Sequence, residues 1–353
     1  MDEEKKKRLI EELEENDSFL AKYRHYQRID KKKAWLDFCK RIDVKPKAKI
    51  HWQLVYKYAA ILLLPISIIA LYLLLFTKPT VSENSLAKVL PGKSQAILIL
   101  SDGNKIALDS TTANCVVVND STTATVSNNR ISYNGAKQNT SQQYNTLITK
   151  RAGEYQIVLD DGTKVHLNAA SQLKYPVAFP GSERTVYLQG EAYFEIAPDK
   201  KRPFYVITNG MKVRQYGTQF NINAYPGELA EVVLVKGSIG VLTGEKEQML
   251  LPGQLAEFDT ENHQLTIKEV DVESYIAWNQ GRFFFDNKTL KEIMDILSRW
   301  YDVDIQFVNN EVQQLHFTGS LDRYSTIEPI IQAVSSAANV TVEMKNHILY
   351  ISK

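Results

Sequence analysis

The chain has 353 residues, 44% hydrophobic and 24% charged, with a net charge of +1 and two cysteines. That length suggests two or three domains. The composition excludes a wholly disordered chain, and two cysteines exclude a disulfide-stapled scaffold.

The near-zero total hides an asymmetry. Residues 1–57 carry 16 Lys/Arg against 11 Asp/Glu, a balance of +5; residues 58–76 carry no charge; residues 77–353 carry 26 basic against 30 acidic side chains. The chain therefore reads as two differently charged parts on either side of an uncharged border.

In the first part three helical stretches are predicted: Glu3–Glu15, about Asp17–Gln27, and about Asp30–Ile42 capped by Asp30. In the third, Trp35, Phe38 and Ile42, with Leu36 beside them, give a candidate docking face on a head too small to build its own core. A small bundle that merely anchors the rest of the chain is the plain alternative. The Lys31–Lys33 run leaves nucleic acid as a weaker one, without any DNA-binding motif to support it.

The uncharged run Tyr58–Phe76 is about 29 Å long as a helix, close to the ~30 Å of a bilayer core. A transmembrane helix over 54–76 is therefore expected. A cleaved signal peptide would begin much nearer the N-terminus, and a soluble helix would show a polar face. Lys40, Arg41, Lys45, Lys47, Lys49 and Lys57 precede the run and only Lys78, Lys88 and Lys93 follow it closely. The positive-inside rule then predicts a cytoplasmic N-terminus and a periplasmic C-terminus at the inner membrane. Pro65 and Ser67 interrupt the run, as a tolerated kink or as a weak point where a protease unwinds the helix.

Beyond it, residues 77–272 read as short strands. Asp102-Gly103 and Asp161-Gly162 each sit between alternating runs, a hairpin signature. The segments 101–109 and 160–168 look alike, which suggests one duplicated hairpin unit. Arg184–Gln189 alternates up to Gly190, and further strands follow around Asn209-Gly210, Lys236-Gly237 and Pro252-Gly253. Many short strands with no long helix predict an all-β sandwich or solenoid.

After Trp278 the pattern becomes β-α-β-β-α-β-β, a small α+β domain. Asn287 is the expected cap of its first helix, and Ser325 with Glu328 the expected capping box of its second. The expected fold is thus multidomain: a helical head (1–50), a transmembrane helix (54–76), a β-rich juxtamembrane region (77–145), an all-β solenoid- or sandwich-like domain (146–272) and an α+β domain (273–353).

Little in the sequence suggests chemistry. The six histidines fall in no metal-ligand spacing, and no nucleophile elbow, phosphate loop or dinucleotide fingerprint occurs. Asp160 and Asp161 beside Gly162 read as turn residues. Glu191, Tyr193 and Glu195 share a strand face; a solvated face is the plain reading, a carbohydrate-binding or glycosidase face the sharper one. Neither enzyme, cofactor nor metal is expected.

The segment Val158–Pro176, with Asp161, Gly162, Leu167 and Asn168, resembles the hallmark of the FecR family of membrane anti-sigma factors. So do Val186–Ala197, carrying Gly190, Glu191 and Phe194; Pro203–Val206; and Gly217–Tyr225, carrying Gly217 and Phe220. Gly237 and Gly253 complete the set of expected structural positions. The last domain resembles the short signalling domains of secretins and TonB-dependent transducers. The resemblance implies a cytoplasmic head that binds an extracytoplasmic-function sigma factor. It also implies a periplasmic receiver touched by the signalling domain of an outer-membrane TonB-dependent transporter, release by membrane and periplasmic proteases, and control of iron-siderophore or glycan uptake. Direct nucleic-acid binding is not implied. Two departures stand out: the head carries only Trp35 as a landmark, and Val213-Arg-Gln-Tyr-Gly217 is less apolar than the family's usual run.

Overall fold

The computed structural model describes residues 7, 30–41, 89–109, 116–119, 122–127, 130–134, 143–215 and 217–353. The chain divides into two compact units, Met1–Val81 and Ser82–Lys353.

In the first unit the described helix is α1, Lys31–Arg41. Asp30 caps it as expected: its Oδ1 accepts from the backbone N–H of Lys32 at 3.0 Å and Lys33 at 3.3 Å. The expected fold class does not stand. Among the described residues there is no three-helix head and no helix long and apolar enough to cross a membrane. The longest helices have 12 residues, about 18 Å, and the structure is mostly strand. The span over 54–76 with Pro65 and Ser67, the two earlier helices and Ile42 lie outside the described residues.

The second unit has a β-sandwich at its centre. In one sheet, neighbours run Lys105–Leu108, Ala96–Ile99, Tyr144–Thr149, Ser171–Pro176, Arg184–Gln189, Phe204–Thr208, Met211–Gln215, Ile239–Thr243 and Lys246–Leu250. In the other, they run Val116–Asn119, Thr122–Ser127, Arg130–Asn134, Gly153–Val158, Lys164–Leu167, Gly190–Glu195, Gln219–Ala224, Ala230–Lys236, Gln254–Asp259 and Gln264–Glu269. Alternate side chains from both sheets meet in one core that includes Leu98, Leu147, Leu167, Val186, Phe194, Phe220 and Val241. Phe194 and Phe220 stack at 5.1 Å.

One strand belongs to both sheets. Arg184–Glu195 is continuous over 12 residues, where the sequence reads as stopping at Gly190. Its first half pairs with Ser171–Pro176 and Phe204–Thr208, its second with Lys164–Leu167 and Gln219–Ala224. Gly190 is the corner. It sits at φ +93°, and a Cβ there would lie 2.5 Å from Ser171 Oγ. The missing side chain lets Ser171 approach, so that its hydroxyl accepts from the Glu191 N–H at 2.9 Å. The corner thereby changes sheets without orphaning a buried donor.

The two look-alike hairpins share one turn. Leu100 N bonds Asn104 O and Leu159 N bonds Thr163 O; Gly103 and Gly162 lie at φ +88° and +85°. In both, the aspartate accepts from the backbone two residues on.

The α+β part follows the expected order: Arg282–Thr289, helix α3 (Leu290–Tyr301, after a helical turn α2 over Glu273–Ile276), Asp304–Phe307, His316–Asp322, helix α4 (Ile327–Ala338), Thr341–Lys345 and Ile348–Ser352. Its caps differ from expectation. Thr289, not Asn287, caps α3 in a capping box with Glu292, because Asn287 lies in a bulge at φ +49°. Thr326, without a side-chain bond, precedes α4 in place of a Ser325–Glu328 box. The second core gathers Leu290, Leu297, Trp300, Ile331 and Leu349. Both described cores lie inside Ser82–Lys353, so that unit is expected to fold by itself.

Gly190→Ala is expected to destabilise Ser82–Lys353 by about 3 kcal/mol or more, from left-handed strain plus the Ser171 overlap. Gly162→Ala, whose nearest neighbour would be 3.8 Å away, should cost only about 1 kcal/mol. Urea unfolding of both variants checks the contrast.

Candidate functional site

The outward side of the second sheet carries His166, Asn168, Glu191, Tyr193 and Asn221, all polar, from three adjacent strands. Such a face reads as solvated. It is instead covered by the α+β part, and Tyr193 is buried. Glu191 Oε2 accepts from Asn168 Nδ2 at 2.6 Å and its Oε1 from Asn221 Nδ2 at 3.0 Å. Burial pushes its carboxyl above the usual range, against the two amide hydrogen bonds that pull it down.

Into this socket comes Arg323, 1% exposed, from the turn between His316–Asp322 and α4. Its guanidinium lies 3.6 Å from the centre of the Trp300 ring. Nη2 donates to Asn168 Oδ1 at 2.5 Å and reaches Glu154 Oε2 at 3.4 Å. Trp300 Nε1 donates back to Arg323 O at 2.7 Å. Tyr324 OH donates to Glu154 Oε1 at 2.8 Å, and Trp278 Nε1 to Asn221 Oδ1 at 3.2 Å. Burial draws the guanidinium below its usual value while Glu154 and Glu191 hold it up. Asn168 is the hinge of the network, giving its amide hydrogens to Glu191 and its oxygen to Arg323.

Beside it, His166 Nδ1 contacts Asn279 Oδ1 at 2.6 Å. Burial lowers its pKa, so its 3.7 Å approach to Glu154 is not an ion pair at neutral pH. At the other rim, Arg151 grips the end of α3. Nη2 donates to Ser298 O at 3.0 Å and to Val303 O, and the guanidinium pairs with Asp302 at 3.1 Å and Asp304 at 2.7 Å. A cation is thus held at a helix C-terminus. Below α3, a cleft of about 230 Å³ is lined by Asn223, Glu228, Glu231, Lys288, Glu292 and Arg299. Burial pushes Glu231 up to about 7; Lys288 and Lys268 oppose, Glu257 and Glu191 reinforce.

The family-motif positions therefore separate. Asn168 and Glu191 form the socket. Leu167, Phe194 and Phe220 are core. Gly217, Gly237 and Gly253 lie in turns at positive φ. Asp161 is a turn residue as expected, and its Oδ2 also pairs with buried Arg184 at 2.6 Å. In the divergent 213–217 run Gln215 is buried, its Oε1 accepting from the Gly217 N–H; Tyr216 lies outside the described residues. Glu195 pairs with Lys164 at 3.3 Å and lines a cleft of about 190 Å³ that Glu191 does not share. The two carboxylates do not converge as a glycosidase pair. Among the described residues no group of three or more His, Cys, Asp or Glu is placed to hold a metal. Sequence reasoning missed Arg323, Trp300, Glu154 and Arg151, which stand in no motif.

On α1, Trp35, Leu36 and Phe38 are 65%, 59% and 54% exposed, with Trp35 and Phe38 stacked at 5.7 Å.

Residues 145–240 match the FecR protein domain and residues 282–351 the FecR C-terminal domain. No curated protein matches the chain. Two crystal structures from Parabacteroides distasonis ATCC 8503, each described as a candidate anti-sigma factor, are similar to it. One, at 1.65 Å, is 28% identical with a TM-score of 0.56, covering 59% of this chain and 98% of that one. The other, at 2.50 Å, is 27% identical with a TM-score of 0.56, covering 60% and 99%.

Arg323→Ala is expected to cost Ser82–Lys353 about 3–5 kcal/mol, because it strands Glu154 and Asn168 in the interior. In a double-mutant cycle with Asn168→Ala the losses should be clearly less than additive. A raised Glu231 pKa means that the folded state binds a proton that the unfolded state has lost. The contribution of Glu231 to stability is therefore fully present below about 4.5 and lost as pH rises through about 7. Glu231→Gln should flatten that decline in thermal melts. His166, with its lowered pKa, acts in the opposite sense below about 6.5 and should still do so in the variant.

Proposed function

For a chain that belongs to the FecR family of anti-sigma factors, as its two matched domains show, we propose that the exposed Trp35–Leu36–Phe38 surface of α1 holds an extracytoplasmic-function sigma factor. The carrying observation is that surface: three large apolar side chains more than half exposed on an 11-residue helix that is otherwise mostly charged. Isolated exposed apolar residues are ordinary, but a stacked aromatic pair with a leucine beside it is an anchor of the size that dominates protein interfaces.

In this reading the head works in the cytoplasm and Ser82–Lys353 in the periplasm at the inner membrane, as the Lys/Arg asymmetry of the sequence suggests. The inducing partner is the signalling domain of an outer-membrane TonB-dependent transporter, and proteolysis releases the head. The regulated genes serve uptake of an iron siderophore or a glycan. The docked α+β part supports a relay, since whatever binds it is coupled through Arg323 to the motif strands. The rival reading, a carbohydrate module built on the face around Tyr193, has less behind it: that residue is 8% exposed and meets only the small cleft it shares with Glu195.

Co-purification of the full chain with a sigma factor tests the proposal. Trp35→Ala/Phe38→Ala is expected to cut recovery by at least about 30-fold in affinity, as loss of two hot spots would. Equal recovery of wild type and variant would remove the face from consideration.

A further inference from the structure

The outward side of the first sheet is unlike the covered side of the second. Across its nine strands the register sets one residue from each strand into a single row: Lys105, Ile99, Thr146, Lys174, Tyr187, Ile207, Lys212, Leu242 and Glu247. At about 4.8 Å between strands the row is about 38 Å long. The flanking row on one side adds Ile97 and Ile148, and that on the other adds Tyr205, Arg214 and Met249. Burial alternates along Ala96–Ile99, Tyr144–Thr149, Phe204–Thr208 and Met211–Gln215, and the register carries their outward side across to the neighbouring strands.

Two properties set the face apart. Lys105, Lys174, Lys212 and Arg214 stand on it against Glu247, which approaches Arg214 at 3.8 Å, and Glu183, which accepts from Thr185 at 3.4 Å. The lysines also lie over tyrosine rings: Lys174 Nζ is 5.1 Å from the centre of Tyr144 and 5.9 Å from that of Tyr187, and Lys212 Nζ 3.7 Å from that of Tyr205. The face interleaves four cations and two carboxylates with phenols and the aliphatic side chains of Ile97, Ile99, Ile148, Ile207, Leu242 and Met249. Broad and basic, with amphipathic rings among aliphatic side chains, it has the chemistry of a surface that meets headgroups.

We propose that this face is a docking surface for an anionic lipid–water interface, with the lysines and Arg214 on lipid phosphates and the tyrosines at headgroup depth. An acidic protein would ask for a groove or paired hydrogen-bonding edges; a laterally extended face with cations spread along it fits a two-dimensional array of charge. The inference does not rest on the sigma-factor reading, and its test contains no sigma factor.

Ser82–Lys353, which is expected to fold by itself, is sedimented with vesicles of phosphatidylglycerol and phosphatidylethanolamine, and with vesicles of phosphatidylcholine alone. Binding is expected to the first and not to the second, and to weaken with added salt. Each lysine on an anionic surface contributes roughly fivefold to partitioning, so Lys174→Glu/Lys212→Glu should lower it by about 25-fold or more. Lys105→Glu/Lys174→Glu, at two exposed positions, guards against a folding defect in the first pair. Lys345→Glu, on the terminal hairpin, should bind as wild type does. Equal binding to both vesicle types, full binding by the charge-reversed variants, or association with soluble polygalacturonate in place of vesicles would each overturn the proposal.

Discussion

A strand that serves two sheets has to turn between them without losing hydrogen bonds to either, and Arg184–Glu195 does so at Gly190. The corner works because there is no Cβ to collide with Ser171, whose hydroxyl takes the Glu191 N–H. Everything downstream inherits this geometry. It brings Glu191 alongside Asn168, whose N–H donates to Glu191 O at 3.0 Å, and it points both side chains out of the sandwich as a pair. A residue with a side chain at 190 would push the two sheets apart and dissolve the socket together with the corner.

The socket in turn decides how the two halves of the receiver cohere. Burying an arginine is costly unless its charge and its donors are met. Here the charge lies on a flat indole, and Nη2 reaches an amide and a glutamate, while Nε is buried without a hydrogen-bond partner. Such a contact is specific because it is demanding: a lysine in place of Arg323 lacks the planar group that lies on Trp300. The Arg151 grip on the end of α3 adds a second, independent attachment. The α+β part is therefore held in part by polar contacts that are strong only while dry.

Much of this architecture is legible in the sequence. The Asp-Gly turns announce both hairpins, and the β-α-β-β-α-β-β order can be read from where the apolar period changes from two to about four. Local signals fail where tertiary contact decides. Gly190 reads as a strand end because a glycine in an alternating run looks like a break. Glu191 and Tyr193 read as a wet face because nothing nearby in sequence says that a later domain covers them. Arg323 is one basic residue among 42, and only folding puts it on Trp300. Asn287 lost the cap of α3 to Thr289 because a bulge, set by pairing with a distant strand, shifts the helix start. The membrane helix inferred from an uncharged run is not among the described helices, none of which is long and apolar enough to cross a membrane.

The chain has four tryptophans, Trp35, Trp52, Trp278 and Trp300. Two of them flank the same buried guanidinium, at 5.5 Å and 3.6 Å. In Ser82–Lys353 these two are the only indoles, so the unit's emission spectrum arises entirely from the place where its halves join. Separation of the halves would admit water to both rings at once and move that spectrum to the red, giving an unlabelled optical record of the joint opening in real time.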